Sequence, residues 1–142
     1  MSNFRKDLRQ NLKNHFINET QAEARVFVSR TNPLEHDQDY PVLLIYSESE
    51  SSAPVTQSRS IFVRTYRLTL EIRCLSGSES GDGDGLDDSL DDIAAQVEAR
   101  MATFKMPGLK DIEYTGAETD LDGEGVQGLG SMKLNFDFKY IR

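Results

Sequence analysis

The pattern of apolar and polar positions is clearest between Ile61 and Leu75, IFVRTYRLTLEIRCL. Tyr66, Leu68, Leu70, Ile72 and Cys74 alternate with Thr65, Arg67, Thr69, Glu71 and Arg73. A period of two rich in β-branched and aromatic residues predicts a half-buried strand. It is about fourteen residues long, beyond the usual strand length. Met132 to Ile141, MKLNFDFKYI, repeats the pattern: Met132, Leu134, Phe136, Phe138 and Tyr140 alternate with Lys133, Asn135, Asp137 and Lys139. Three weaker segments complete the strand set. Ala24–Arg30 reads as a short strand with Val26 and Val28 on one face and Phe27 on the other. Tyr40–Ser47 contains a continuous apolar run, which predicts burial on both faces or one face covered by helices. Leu109–Thr115 places Ile112 and Tyr114 together.

Two segments carry the helical period instead. Phe4, Leu8, Leu12 and Phe16 form a stripe in a helix capped by Ser2 or Asn3 and running to about Thr20. Leu86, Leu90, Ile93, Val97, Met101 and Phe104 form a second stripe, over about Leu86–Lys105. Asp84, Asp87 and Asp88 sit at its start, where carboxylates complement the helix dipole. Met106-Pro107-Gly108 ends it. Polar, serine- or glycine-rich stretches at about 48–60, 76–85 and 116–130 read as flexible loops. The expected fold is a single α+β domain. Its mixed or antiparallel sheet of about five strands has the two amphipathic helices packed on one face. The other face presents Arg, Lys, Thr, Asn and Asp.

Composition narrows the function classes. The chain has 142 residues and a net charge of -8, with 37% hydrophobic and 28% charged residues. That suits one globular domain. An acidic balance disfavours a protein that grips nucleic acid through phosphates. No apolar run reaches the twenty or so residues of a membrane span, and MSNFRKDLRQ lacks a signal core, so a cytoplasm-like compartment is expected. Cys74 is the one cysteine, which excludes an internal disulfide; on the apolar strand face it reads as a buried, inert thiol.

Candidate chemistry is sparse. Ser80-Gly-Asp82-Gly-Asp84-Gly85 and Asp120-Leu-Asp122-Gly-Glu124-Gly125 imitate the start of a calcium loop, but both lack the closing glutamate. The glycines of 76–85 are no phosphate cradle: no Lys-Ser/Thr follows, and six aspartates crowd 82–92. His15, at the edge of the helix stripe, and His36 are far apart in sequence, and with one cysteine they do not make a zinc set. No nucleophile elbow or dinucleotide fingerprint is present. The sequence therefore predicts no catalytic residue, no metal and no cofactor. Arg67 and Arg73 share a strand face with Glu71 and can pair with carboxylates of their own or a neighbouring subunit.

The whole layout resembles the tail terminator, or tail completion, proteins of long-tailed bacteriophages and prophages, the lambda-like minor tail protein type. The resemblance covers nearly the entire chain. It is carried by the opening helix leading into ARVFVSRTNPL, then YPVLLIYSESE, RTYRLTLEIRC, LDDSLDDIAAQVEARM and the closing MKLNFDFKY. It implies a small α/β protein that assembles as a homo-hexameric ring, caps the tail tube and ends its polymerisation. The ring then offers a surface to the head completion or connector protein. The implied location is the head-proximal end of the virion tail, and the host cytoplasm during assembly. Other implied partners are tail tube protein and, without specific contact, the DNA passing through the channel; no membrane is involved. From face and charge, Arg64, Arg67, Glu71 and Arg73 are the expected interface groups. Residues 48–60 form a candidate docking arm. Asp82, Asp84, Asp120, Asp122 and Glu124 are expected on channel or docking loops. The competing classes are a small protein-binding adaptor, another head-tail connector protein and a metal-dependent hydrolase.

Overall fold

The structure is a computed structural model that describes residues 3–28, 41–54, 62–75, 84–122 and 129–141. Helix α1 (Phe4–Phe16) begins where the Asn3 side chain accepts from the Lys6 amide at 3.3 Å. Its stripe of Leu8, Leu12 and Phe16 is fully buried. It stops four residues short of the expected Thr20. Ile17 is extended, Asn18 adopts φ 62°, and the Asn18 amide turns to the Glu23 carbonyl at 2.7 Å. Asparagine tolerates the left-handed region better than most residues, so the turn ends the helix locally.

The five strands are β1 (Val26–Val28), β2 (Val42–Pro54), β3 (Phe62–Leu75), β4 (Leu109–Asp122) and β5 (Leu129–Ile141). They form one sheet in the order β1-β2-β3-β5-β4. Only β1 runs parallel to its neighbour; the other pairings are antiparallel. The helix α2 (Asp84–Met101) joins β3 to β4 and packs on β3 and β5. β3 ends at Leu75, beside Leu129. β4 starts at Leu109, beside Tyr140, which itself faces Arg64 near the start of β3. The helix therefore travels back along the sheet, antiparallel to β3.

The expected fold class is the observed one. Both helices lie on the face of Leu68, Leu70 and Ile72, and a single core joins them to Leu43, Ile45, Leu134 and Phe138. The apolar run of β2 is buried on both faces, with Val42 and Leu44 buried as well as Leu43 and Ile45. Burial of such side chains at about 25 cal/mol per Å² is the main force holding the layers together.

Several expected boundaries are corrected. Residues 48–54 are not a loop: they continue β2 against β3. Residues 116–122 continue β4, and β5 begins at Leu129. Asp84 and Gly85 belong to α2. The rest of the three loops, 55–60, 76–83 and 123–128, lies outside the described residues, as do His36, Asp82 and Glu124. The missed strand halves have a common cause. Their side chains are mostly exposed on both faces, so backbone pairing holds them without any apolar alternation. α2 ends at Met101 instead of Lys105, where Thr103 Oγ1 donates to the Arg100 carbonyl at 2.8 Å. Gly108, at φ 88°, turns the chain into β4; a Cβ there would meet the Phe4 ring at 3.3 Å.

Candidate functional site

Two charged regions and one cleft stand out. The first region is the sheet face opposite the helices. Alternation along β3 and β5 places Arg67, Thr69, Glu71 and Arg73 beside Asp137, Asn135, Lys133 and Ser131. Arg67 clasps Asp137 through two hydrogen bonds, Nε to Oδ1 at 2.7 Å and the terminal nitrogen to Oδ2 at 3.1 Å. This fork geometry suits a guanidinium on a carboxylate and raises the pKa of Arg67. Glu71 is buried at 3% exposure and receives Arg73 Nε on one oxygen and the Tyr46 hydroxyl on the other, the latter at 2.8 Å. Burial, then the bond to Glu71, pushes the Tyr46 hydroxyl well above the usual phenol range. Thr69 Oγ1 lies 2.8 Å from Asn135 Oδ1. Three of the four expected interface residues are thus together, and each makes its ion pair within the chain.

Arg64 is not with them. It is even-numbered on β3, like Tyr66 and Leu68, and so falls on the helix side. There it enters the second region, at the end of the sheet where β3 begins. A bulge between Ser47 and Ser49 shifts the phase of β2 and turns Glu50 onto the same side, opposite Tyr66. Arg5 of α1 forms a two-point ion pair with Glu50, its Nε bond measuring 3.0 Å. The Tyr140 hydroxyl donates to Glu50 Oε1 at 2.6 Å, and Arg64 stands 3.8 Å from Oε2. These donors, Arg5 above all, hold the Glu50 carboxyl below the usual range. Phe4 stacks on Tyr140 at 4.0 Å between centroids, and Arg9 donates to the Tyr66 hydroxyl at 2.7 Å. Two arginines, Arg5 and Arg64, therefore flank one carboxylate, and Arg9 lies one hydrogen bond further off on Tyr66. The Nε of Arg64 is buried without a hydrogen-bond partner among the described residues.

Sequence reasoning missed Glu50, Arg5, Arg9 and Tyr140 as a group. Arg5 and Glu50 are 45 residues apart, and Glu50 and Tyr140 are 90 apart. The one local hint was the Ser-Glu-Ser-Glu run after an apolar strand, which reads equally well as a loop.

The cleft lies between the end of α2 and β4. It holds about 620 Å³ and is lined by Met101, Phe104, Met106, Leu109, Ile112 and Tyr114, with Glu98, Lys105, Lys110 and Asp111 supplying charge. Tyr114 is 42% exposed and stacks on Phe136 at 4.7 Å. A more polar hollow of about 530 Å³ on the opposite face is lined by Glu71, Arg73, Glu118, Thr119, Asp120, Ser131 and Lys133.

The remaining sequence candidates have these places. Asp120 and Asp122 are strand residues at the end of β4, not loop residues, and Asp84 opens α2. No three His, Cys, Asp or Glu side chains among the described residues are grouped to hold a metal ion. His15 ties the helices together: its Nε2 lies 2.6 Å from the Arg100 carbonyl, and Arg100 donates back to the His15 carbonyl at 3.0 Å. Cys74 is buried, and burial lifts its thiol to about 11, so the reactive thiolate is suppressed. No described helix is long and apolar enough to cross a membrane. Neither a scan against protein-family models nor a search of curated proteins gave a match to this chain.

Proposed function

We propose that the chain is a structural virion protein of the tail terminator type. Six copies close into a ring on the last ring of the tail tube, stop its polymerisation and present the surface to which the head attaches. No catalytic step is involved. One observation carries the reading beyond the sequence resemblance: the sheet is covered by described helices on one face alone, and it ends in a long open edge. β4 has 14 residues, pairs with β5 on one side, and has no further described strand on the other. An edge of that length offers unpaired backbone groups and invites another chain. Head-to-tail contacts between identical copies close into a ring when the rotation between them is right.

On this reading Arg64, Arg67 and Arg73 belong to surfaces that meet a neighbouring subunit or the tube, and Glu71, buried at 3% exposure, holds Arg73 from beneath that surface. Asp84, Asp120 and Asp122, with Asp82 and Glu124, supply channel or docking charge: on the channel such charge keeps passing DNA from adhering, and at a subunit contact it meets a basic neighbour. The protein acts at the head-proximal end of the tail and is assembled in the host cytoplasm. Electron microscopy of the purified protein, alone and mixed with tail tubes, tests this. The expected result is six-membered rings, free or seated at tube ends. Particles that neither form rings nor seat on tubes would sink it.

A second reading, a small protein-binding adaptor, is favoured by the apolar cleft beside β4. An extended peptide added to an open strand edge could place alternate side chains in such a cleft. A stable monomer that ignores tail tubes would favour the adaptor.

A further inference from the structure

The two ends of the sheet differ in charge. At the end where β3 and β4 begin, α1 presents Arg5, Lys6 and Arg9 with Asp7, β4 adds Lys110 and Asp111, and Arg64 stands by Glu50, its buried Nε without a partner among the described residues. Glu50 is the carboxylate that Arg5 and Arg64 share. At the end where β4 finishes and α2 starts, the exposed charges among the described residues include Asp88, Asp91 and Asp92 on α2 and, on the opposite face of the sheet, Glu118 and Asp120 with Lys133 against them. The placement follows from topology, because α2 runs back along the sheet and starts at the end where β3 stops. Arg67 and Arg73 each have a carboxylate of the same chain to themselves, whereas Arg5 and Arg64 divide one between them and Lys6 and Arg9 have none in the ion pairs of the described residues. A cation that already has its partner gains little from a second one. A cation set in excess of its carboxylates gains more, because the incoming anion replaces repulsion among the arginines.

We infer that the basic end, centred on Lys6, Arg9 and Arg64, receives the acidic end of a second copy, centred on Glu118 and Asp120. The inference rests on the ring reading and names the contact that would close it. The two patches differ, so the contact is heterologous: each subunit uses one end as donor and the other as acceptor. Exposed charge pairs steer encounter and set register, so the contact weakens as salt screens it.

A charge-swap pair tests it. Lys6→Glu with Arg9→Glu makes one variant, and Glu118→Lys with Asp120→Lys makes the other. Lys6, Glu118 and Asp120 are exposed, and Lys6→Glu alone serves as a control that leaves the Arg9–Tyr66 bond intact. Circular dichroism establishes that each variant is folded, and sedimentation velocity or native mass spectrometry reads assembly. The wild type is expected to self-associate at low salt. Each double variant alone should associate at least about ten-fold more weakly, and Lys6→Glu less so. A one-to-one mixture of the double variants should restore assembly, because each altered end then meets a complementary one.

Rings from either double variant as readily as from the wild type would overturn this contact and leave the ring standing. So would a mixture that stays dissociated while the wild type assembles. A wild type that is monomeric with and without tail tubes defeats the ring reading, and this contact falls with it. Retention of a short DNA duplex by Lys6 and Arg9 in a monomeric protein assigns the basic end to phosphate and also overturns the contact.

Discussion

The two faces of β3 solve the same burial problem with different chemistry. On the helix side, Leu68, Leu70 and Ile72 are fully buried against other apolar groups. On the opposite side, Thr69 and Glu71 are nearly as buried, at 2% and 3% exposure, and although Leu44 lies opposite Glu71, both are held by polar partners. The first face is non-directional: any well-shaped hydrophobic group contributes roughly by area. The second depends on particular partners. Glu71 is tolerated because Tyr46 and Arg73 satisfy both its oxygens, and a buried carboxylate without them would carry a desolvation cost. The helix side should therefore fail by loss of volume, and the opposite side by loss of a partner.

Removing volume gives the largest expected effect. Leu70→Ala opens a cavity beneath α2 and should lower unfolding free energy by about 2–5 kcal/mol, measured by urea denaturation. Glu71→Ala should cost less, about 1–3 kcal/mol, because it leaves the Tyr46 hydroxyl and Arg73 without their acceptor. If Glu71→Ala proves as costly as Leu70→Ala, the contrast between the faces is wrong. Charge reversal sharpens the comparison further. Arg67→Glu sets a second carboxylate against Asp137, so a lower thermal midpoint is expected along with any assembly defect. An unchanged midpoint would mean that the Arg67–Asp137 clasp adds nothing to folding.

Smaller effects are expected at the end of the sheet. Glu50 has a lowered pKa, so its contribution is present above the ordinary glutamate range, near 4.3. It is lost as pH falls through the lowered folded value. Glu50→Gln should remove that acid sensitivity at a cost of about 1 kcal/mol at neutral pH, read from thermal midpoints between about pH 2 and 7. Identical pH profiles for both proteins would show that the arginines are not coupled to Glu50. The smallest effect concerns Cys74. Its raised thiol pKa and burial predict almost no alkylation by iodoacetamide at about pH 8 in the folded protein, and rapid reaction in denaturant.

Local periodicity determined much of this protein. The alternation through β3 and β5, the stripes of α1 and α2, and the apolar run of β2 each reflect burial imposed on neighbouring residues. Element order, the helix-covered face and the inert place of Cys74 follow from them. The full lengths of β2 and β4 did not, because their distal halves are held by backbone pairing while side chains on both faces remain mostly exposed. The cluster around Glu50 was also hidden. A bulge of one residue reverses which face Glu50 occupies, and its partners come from the first helix and the last strand. Pairing register and long-range approach are properties of the folded chain, so only the tertiary structure could bring one carboxylate to Arg5, Arg64 and Tyr140.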